Sequence, residues 1–229
     1  MVRPTLKKQI HNLQEAIKET AWKQIAEFGA PTLSLRAIAR ELKITAPAIY
    51  NYFSRRDDLV TALIVDAYNS LADAQEAALV DIADAPHKHA AHLSSLGLAY
   101  REWAVTYPQR YQLIFGTPIP NYHAPEEVTL PAAARALVPL TQTIQDIFSA
   151  GSLRTERFAK MTPKLKSMLV TWQKFKGGSD LEVLYLAWVI WSRVHGLVML
   201  EITQQIPSFF DDPAELFRRE INNILVQYL

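Results

Sequence analysis

The chain has 229 residues, 49% of them hydrophobic, and a net charge of only +1, enough for one large or two small domains with an ample core. It has no cysteine, which excludes disulfides, thiolate zinc sites and a cysteine nucleophile, and its seven glycines are too few for a nucleotide-loop or β-rich protein. Charge is uneven: residues 1–60 hold ten Lys/Arg against six Asp/Glu, so the head is mildly basic and the rest mildly acidic, which suits local contact with phosphates.

The first residues, Met1 to Lys8, lack the apolar core of a signal peptide, so a cytoplasmic protein is expected. Leu6, Ile10, Leu13, Ile17, Ala21, Ile25 and Phe28 mark a first helix ending at Gly29, with Trp22 as packing. Lys7 and Lys8 belong to a basic terminus that either frays or touches a DNA backbone. Residues 34–53 read as two short helices around a tight turn. Ser34 caps a helix over Leu35–Leu42 whose apolar face is Leu35, Ile38, Ala39 and Leu42. Lys43-Ile44 form the turn, Thr45 is a second N-cap, and Pro47 falls in the next first turn, where its missing N–H breaks no bond. Ile49 and Phe53 point back. Thr45, Ala46, Pro47, Tyr50, Asn51 and Tyr52 face out, small in front with phenol and amide groups behind, as suits a helix that enters a major groove.

Thr32 to Ala39, followed by Ile44 to Leu59, resembles the helix-turn-helix of TetR-type bacterial transcriptional regulators. The most specific part is Tyr50-Asn51-Tyr52-Phe53 followed by a basic residue, two acids and Leu59, and the resemblance extends over about residues 5–65. Two positions depart from it. Lys43 stands where the family has a turn glycine, so a non-glycine must take the bend. Arg56 replaces the usual lysine and is expected to grip a phosphate with two N–H groups.

The resemblance implies an all-α, TetR-like fold of about nine to ten helices. A three-helix DNA-binding head would span 1–60 and a helical ligand-binding and dimerisation body 61–229. It further implies a homodimeric, ligand-responsive repressor on a pseudo-palindromic operator of double-stranded DNA. Asn51 would pair with adenine, and Thr45, Ala46 and Pro47 would meet a thymine methyl. Arg36, Tyr50, Tyr52, Arg55 and Arg56 would hold phosphates and set register.

Asp57 and Asp58 open a fourth helix through Leu59, Leu63, Ala67 and Leu71 towards Leu79, whose tilt would carry the allosteric signal by the same resemblance. Pro86 starts the body. His87, His89 and His92 follow at spacings that place the first two on different sides of a helix, so they read as a solvated face and no metal is expected. Residues 99–115 are aromatic-rich with a helix joint at Pro108, and 116–125 form a loop that either closes over a pocket or simply connects. A helix over Glu126–Ala150 contains Pro131 and Pro139, the latter expected to kink or split it. Next, Phe158, Met161, Leu165, Met168, Trp172 and Phe175 form a stripe in a lysine-rich stretch, 152–178, read as a basic outer face on a packed helix, or else as an anion or nucleic-acid surface. Thr162-Pro163 start its ordered part and Gly177-Gly178 end it.

Residues 180–204 are the most apolar stretch, yet Arg193 and His195 in the middle make membrane insertion expensive. A helix buried on two sides is expected, by its own body and by a second subunit. Trp191, His195 and Gly196 are similar to the Trp-His-Gly signature of one TetR-type C-terminal class. With the last helix, 213–228, this stretch would form a four-helix seam with its symmetry mate. No glycine phosphate loop, His-Glu-x-x-His or Gly-x-Ser-x-Gly occurs, so neither enzyme activity nor a cofactor is expected. His195 either hydrogen-bonds within the core or lines a cavity. Trp103, Tyr107, Tyr111, Phe115, Trp188, Trp191, His195 and Met199 are the candidates to line a cavity of ~300–1,000 Å³ for a small hydrophobic or aromatic effector. The alternative is an all-α module that binds a hydrophobic ligand or partner protein and keeps its helix-turn-helix only as packing.

Overall fold

The computed structural model describes residues 12–80, 88–176 and 179–229. Every regular element among them is helical: α1 Leu13–Phe28, α2 Leu35–Glu41, α3 Ala46–Tyr50, α4 Arg56–Val80, α5 Lys88–Thr106, α6 Pro108–Phe115, α7 Glu126–Ser149, α8 Pro163–Lys176, α9 Leu181–Ile202 and α10 Pro213–Tyr228. Single 3-10 turns sit at Ala30–Thr32 and Thr155–Arg157. The expectations for Leu6, Lys7, Lys8, Ile10, Pro86, His87, Gly177 and Gly178 lie outside the described residues.

Helix ends follow local chemistry. Asn12, Ser34 and Asp212 each accept a backbone N–H of their own first turn. α2 ends in a Schellman motif: Ile44 N–H reaches the Ala39 carbonyl at 3.0 Å and Lys43 N–H the Arg40 carbonyl at 3.2 Å. Lys43 occupies the left-handed position with φ 56°, as expected from the missing glycine, at about 1 kcal/mol of strain.

Two apolar cores share one helix. Ile17, Ala21, Ile25, Ile38, Ile49, Phe53, Leu59 and Leu63 fill the first, formed by α1 to α3 and the start of α4. The second takes Leu71 and Ala72 from further along α4 and adds α5 to α7, α9 and α10. Tyr68 and Ile114 pack against both. A boundary at residue 60 thus falls inside a continuous helix rather than in a linker. Residues 116–125 do more than connect: Ile119 is buried in the first core and the Tyr122 hydroxyl meets Thr61 Oγ1 at 2.9 Å.

Three expectations need correction. Pro139, expected to kink or split its helix, does not split it: α7 is one element with both prolines inside, which overturns only the second alternative. Its ring and missing N–H loosen the ladder, and the nearby Ala136 carbonyl accepts Gln75 Nε2 from α4 at 2.8 Å. The expected stripe over 158–175 is also misregistered. Phe158 precedes α8 and packs on Tyr185 and Tyr228, Met168 is 60% exposed, and Leu169 is the residue α8 buries. Finally, Arg154 is not simply a basic surface residue: its backbone and Nη1 cap the Tyr228 and Val226 carbonyls at the end of α10.

α9 is long and apolar enough to cross a membrane, but Val183, Leu186, Ile190, Val194 and Val198 are buried in the second core. Arg193 pairs with Glu220 of α10 and Glu201 with Arg101 of α5, whereas Glu182 Oε2 is buried without a hydrogen-bond partner among the described residues. The opposite face, including Tyr185, Ser192 and Leu200, is open to solvent.

Candidate functional site

The helix-turn-helix presents a short α3 held by one anchor. Ile49 is its only buried residue, and Phe53 follows to lock the turn beyond it. Thr45, Pro47, Tyr50, Asn51 and Tyr52 are exposed, Ala46 is half-buried, and the two tyrosines keep 44% and 47% of their surface in solvent. Tyr50 at the end of α3 and Tyr52 just beyond it keep nearly half of their surface in solvent, so the face is free to meet a groove. Arg36, Arg40 and Lys43 are exposed beside it and form no ion pair among the described residues. Sequence reasoning singled out Arg36 but passed over Arg40 and Lys43. The signal was present, since both sit within one turn of the Schellman bend.

The other two expected arginines are engaged. Arg55 is paired with Asp58 at 3.0 Å, yet its side chain remains 76% exposed. Ser54 first, then Arg55, hold the Asp58 carboxyl below the usual carboxylate range. Arg56 turns inward: Nε donates to the Leu33 carbonyl at 3.2 Å, and Nη2 to those of Ala30 and Pro31 at 3.0 and 3.1 Å. It ties the start of α4 to the 3-10 turn that leads into α2. The expected phosphate grip therefore meets a guanidinium with three of its five N–H donors in use and Nη1 3.5 Å from the Asp57 carboxylate.

In the body, a cavity of ≈ 190 Å³ opens between α4, α5, α7, α8 and α9. That is below the range expected from the sequence. Of the eight candidates, Phe115, Trp188 and Trp191 line it. Tyr68, Gln75, Tyr100, Leu140 and Trp172 were missed. Trp188 bridges Trp172 and Trp191, at centroid distances of 5.7 and 5.3 Å, and stays 49% exposed at the mouth. Trp103 instead donates its indole N–H to Ser70, and Tyr107 stacks with Arg110. Met199 lies on a separate open groove of ≈ 840 Å³ between the end of α1, α6 and the loop after it.

Behind the cavity wall, His195 takes the first of its two readings: it hydrogen-bonds within the core and is not among the residues that line the cavity. Tyr100 and Tyr111 bring their hydroxyls to 2.9 and 2.8 Å from Nδ1, and Trp191 packs on the ring at 4.7 Å. Burial lowers the imidazole's affinity for a proton and pushes Tyr111 up to about 12, with Tyr100 raised well above its ordinary value. All three are therefore neutral near pH 7. A neutral ring that carries its proton on Nε2 has one lone pair at Nδ1, so one hydroxyl donates there. Tyr111 has a second acceptor in the His195 carbonyl at 3.3 Å. Among the described residues no group of three His, Cys, Asp or Glu could hold a metal. His92 Nε2 is buried without a partner.

The joint between head and body is α6. Tyr111 faces the second core, while Leu113 and Ile114 pack on the first. Arg110 of the same helix lies over Trp22 of α1 at 5.4 Å and over Tyr107 at 4.6 Å, and donates to Ser70 of α4 at 3.0 Å.

Known proteins resemble this arrangement along nearly the whole chain. A family profile described as bacterial regulatory proteins, tetR family, matches residues 17–63, and one described as tetracyclin repressor-like, C-terminal domain, matches residues 93–224. The HTH-type transcriptional regulator Rv1816 of Mycobacterium tuberculosis is 34% identical over 207 residues, which are 90% of this chain and 87% of that protein. The crystal structure of regulatory protein SCO4313 is 37% identical, with a TM-score of 0.75 over 93% of this chain and 95% of that one. A TetR protein of Acinetobacter baumannii in complex with minocycline shares the fold at 18% identity and a TM-score of 0.52, over 92% and 93%.

Proposed function

Since the chain belongs to the tetR family of bacterial regulatory proteins and is a DNA-binding transcriptional regulator, we propose that it acts as a cytoplasmic, ligand-responsive repressor. Residues 1–60 would form the reading head and 61–229 the body that senses and dimerises. Two copies of α3 would enter successive major grooves of a pseudo-palindromic operator, about 34–36 Å apart. Thr45, Ala46, Pro47 and Asn51 would meet base edges, while Tyr50, Tyr52, Arg36 and Arg55 would hold phosphates, joined by Arg40 and Lys43.

The observation that carries this reading is the bare outward face of α3, whose burial is confined to Ile49. The solvent-exposed faces of α9 and α10, with Tyr185, Leu200, Leu216 and Val226, supply the apolar surface for a two-fold seam. A small molecule in the body cavity would act through α4 and α6, which enter both cores. It must favour one head spacing over another, since tight binding alone shifts nothing.

The test is a gel-shift titration on the DNA flanking the protein's own gene, repeated across salt concentrations. Binding should saturate and collapse with added salt. Arg36→Ala combined with Tyr52→Ala should abolish it and leave the dimer intact. A double variant that still protects the same site would refute the docking face, and failure of the unaltered protein to bind any flanking DNA would favour a ligand or partner module instead.

A further inference from the structure

Resting on the reading of the body cavity as an effector site, we propose that the effector is a neutral molecule of substituted-benzene size with one hydrogen-bonding oxygen, which meets the Tyr68 hydroxyl on α4. The ≈ 190 Å³ available is slightly larger than the cavities of about 150 Å³ known to take up benzene, so one ring with a short substituent fits and a fused polycycle does not. No lining residue carries a charge, and burying a carboxylate without a counter-charge or a ring of donors is prohibitive, so carboxylates are excluded. The rings of Phe115, Trp188 and Trp191 form an aromatic wall that favours a flat guest.

Two of the polar side chains in the wall come from α4. Tyr68 and Gln75 lie two turns apart on α4, and both reach the cavity. Gln75 Nε2 is engaged by the Ala136 carbonyl, but the Tyr68 hydroxyl has no hydrogen-bond partner among the described residues. It is held beside the Tyr100 hydroxyl, whose own partner is His195. A hydroxyl that reaches the cavity and has no protein partner is a free donor for a guest that supplies an oxygen. Because α4 continues into the head, that bond places the ligand's one directional contact on the element that sets head orientation.

The experiment compares 4-ethylphenol, ethylbenzene and 4-ethylbenzoate by calorimetry, on the unaltered dimer and on Tyr68→Phe. The substitution keeps the ring contact with Phe115 and removes only an unbonded hydroxyl. Tyr68→Phe should weaken 4-ethylphenol about fivefold and leave ethylbenzene unchanged or slightly tighter, while 4-ethylbenzoate binds neither protein. Equal effects on the two neutral probes, or binding of the benzoate, would overturn the assignment of the oxygen contact. Ala187→Phe and, on the less buried wall, Ala133→Phe fill the cavity and should abolish binding of both neutral probes. If both neutral probes bind and both filling variants still bind them, or if neither probe binds the unaltered protein, the cavity itself is not the effector site and the underlying reading falls with the proposal.

Discussion

Arg56 separates two accounts of the helix-turn-helix. If the arginine is a phosphate ligand, Arg56→Ala weakens DNA binding and leaves the fold alone. The structure instead gives its guanidinium three carbonyls in the loop between α1 and α2, with a side chain 29% exposed. Hydrogen bonds to a charged donor contribute roughly 1.5–3 kcal/mol when buried. Two of these three share Nη2 and the site is partly hydrated, so the net loss on Arg56→Ala should be about 2 kcal/mol. With a urea dependence of roughly 1–3 kcal/mol per molar, the unfolding midpoint should fall by about 1 M at fixed protein concentration. Arg56→Lys restores the charge but not the fork, and should recover less than half of that loss. The second assay is the dependence of operator affinity on salt. Each phosphate contact contributes about 0.9 to the slope of log affinity against log salt, and that slope should be unchanged in Arg56→Ala. An unmoved urea midpoint with a slope reduced by about 0.9 would refute the structural reading and restore the phosphate grip.

Two glycines should respond in opposite ways. A Cβ on Gly97 would collide with Ile221 Cδ1, so Gly97→Ala makes that buried side chain move to another rotamer and should lower stability by about 1 kcal/mol in thermal or urea unfolding. At Gly196 a Cβ would meet nothing within 4 Å of the same protomer, so Gly196→Ala should leave the monomer fold intact and gain up to about 1 kcal/mol of helix propensity. If the α9 seam uses that gap, sedimentation should show a weakened dimer; an unchanged dimer constant would remove Gly196 from the interface. Arg110 and Trp22 should couple by about 0.5–1 kcal/mol in a double-mutant cycle of Arg110→Gln and Trp22→Leu, and a coupling near zero would show that the contact over α1 is not energetic. For His195 the folded value is lowered by burial, so the unfolded chain takes up the proton first as pH falls through about 6.5. Stability is therefore full above that pH and declines below it, and urea midpoints for His195→Asn should lose this acid limb. Tyr111 gives the mirror case: with its folded value pushed up to about 12, stability should fall as pH rises from about 10 towards 12, a loss reduced in Tyr111→Phe, with the remainder carried by the other raised tyrosines, Tyr100 foremost.

Much of the architecture was legible because it is written locally. The cap at Ser34, the joint at Pro108 and the starts of α8 at Pro163 and α10 at Pro213 each depend on a few adjacent residues, and each was found where the pattern placed it or within a residue or two. Where the signal had to cross a break it failed. The run from Phe158 to Phe175 keeps a helical spacing on paper, but the 3-10 turn at Thr155–Arg157 and the extended residues after it reset the phase, so Leu169 rather than Met168 turns inward. At Pro139 the helix forgoes only the rung to the Arg135 carbonyl, and α7 continues past it.

By itself, then, the sequence determined the helices, their order, the bend at Lys43 and the outward face of α3, because periodicity, capping and turn chemistry act over one or two turns of chain. Only the tertiary structure decided that Arg56 turns to the carbonyls of residues 30–33, that His195 receives tyrosines from α5 and α6, and which aromatics share a cavity wall. Those outcomes depend on contacts between residues from 23 to about 100 positions apart, whose geometry is set by how ten helices pack and not by any one of them.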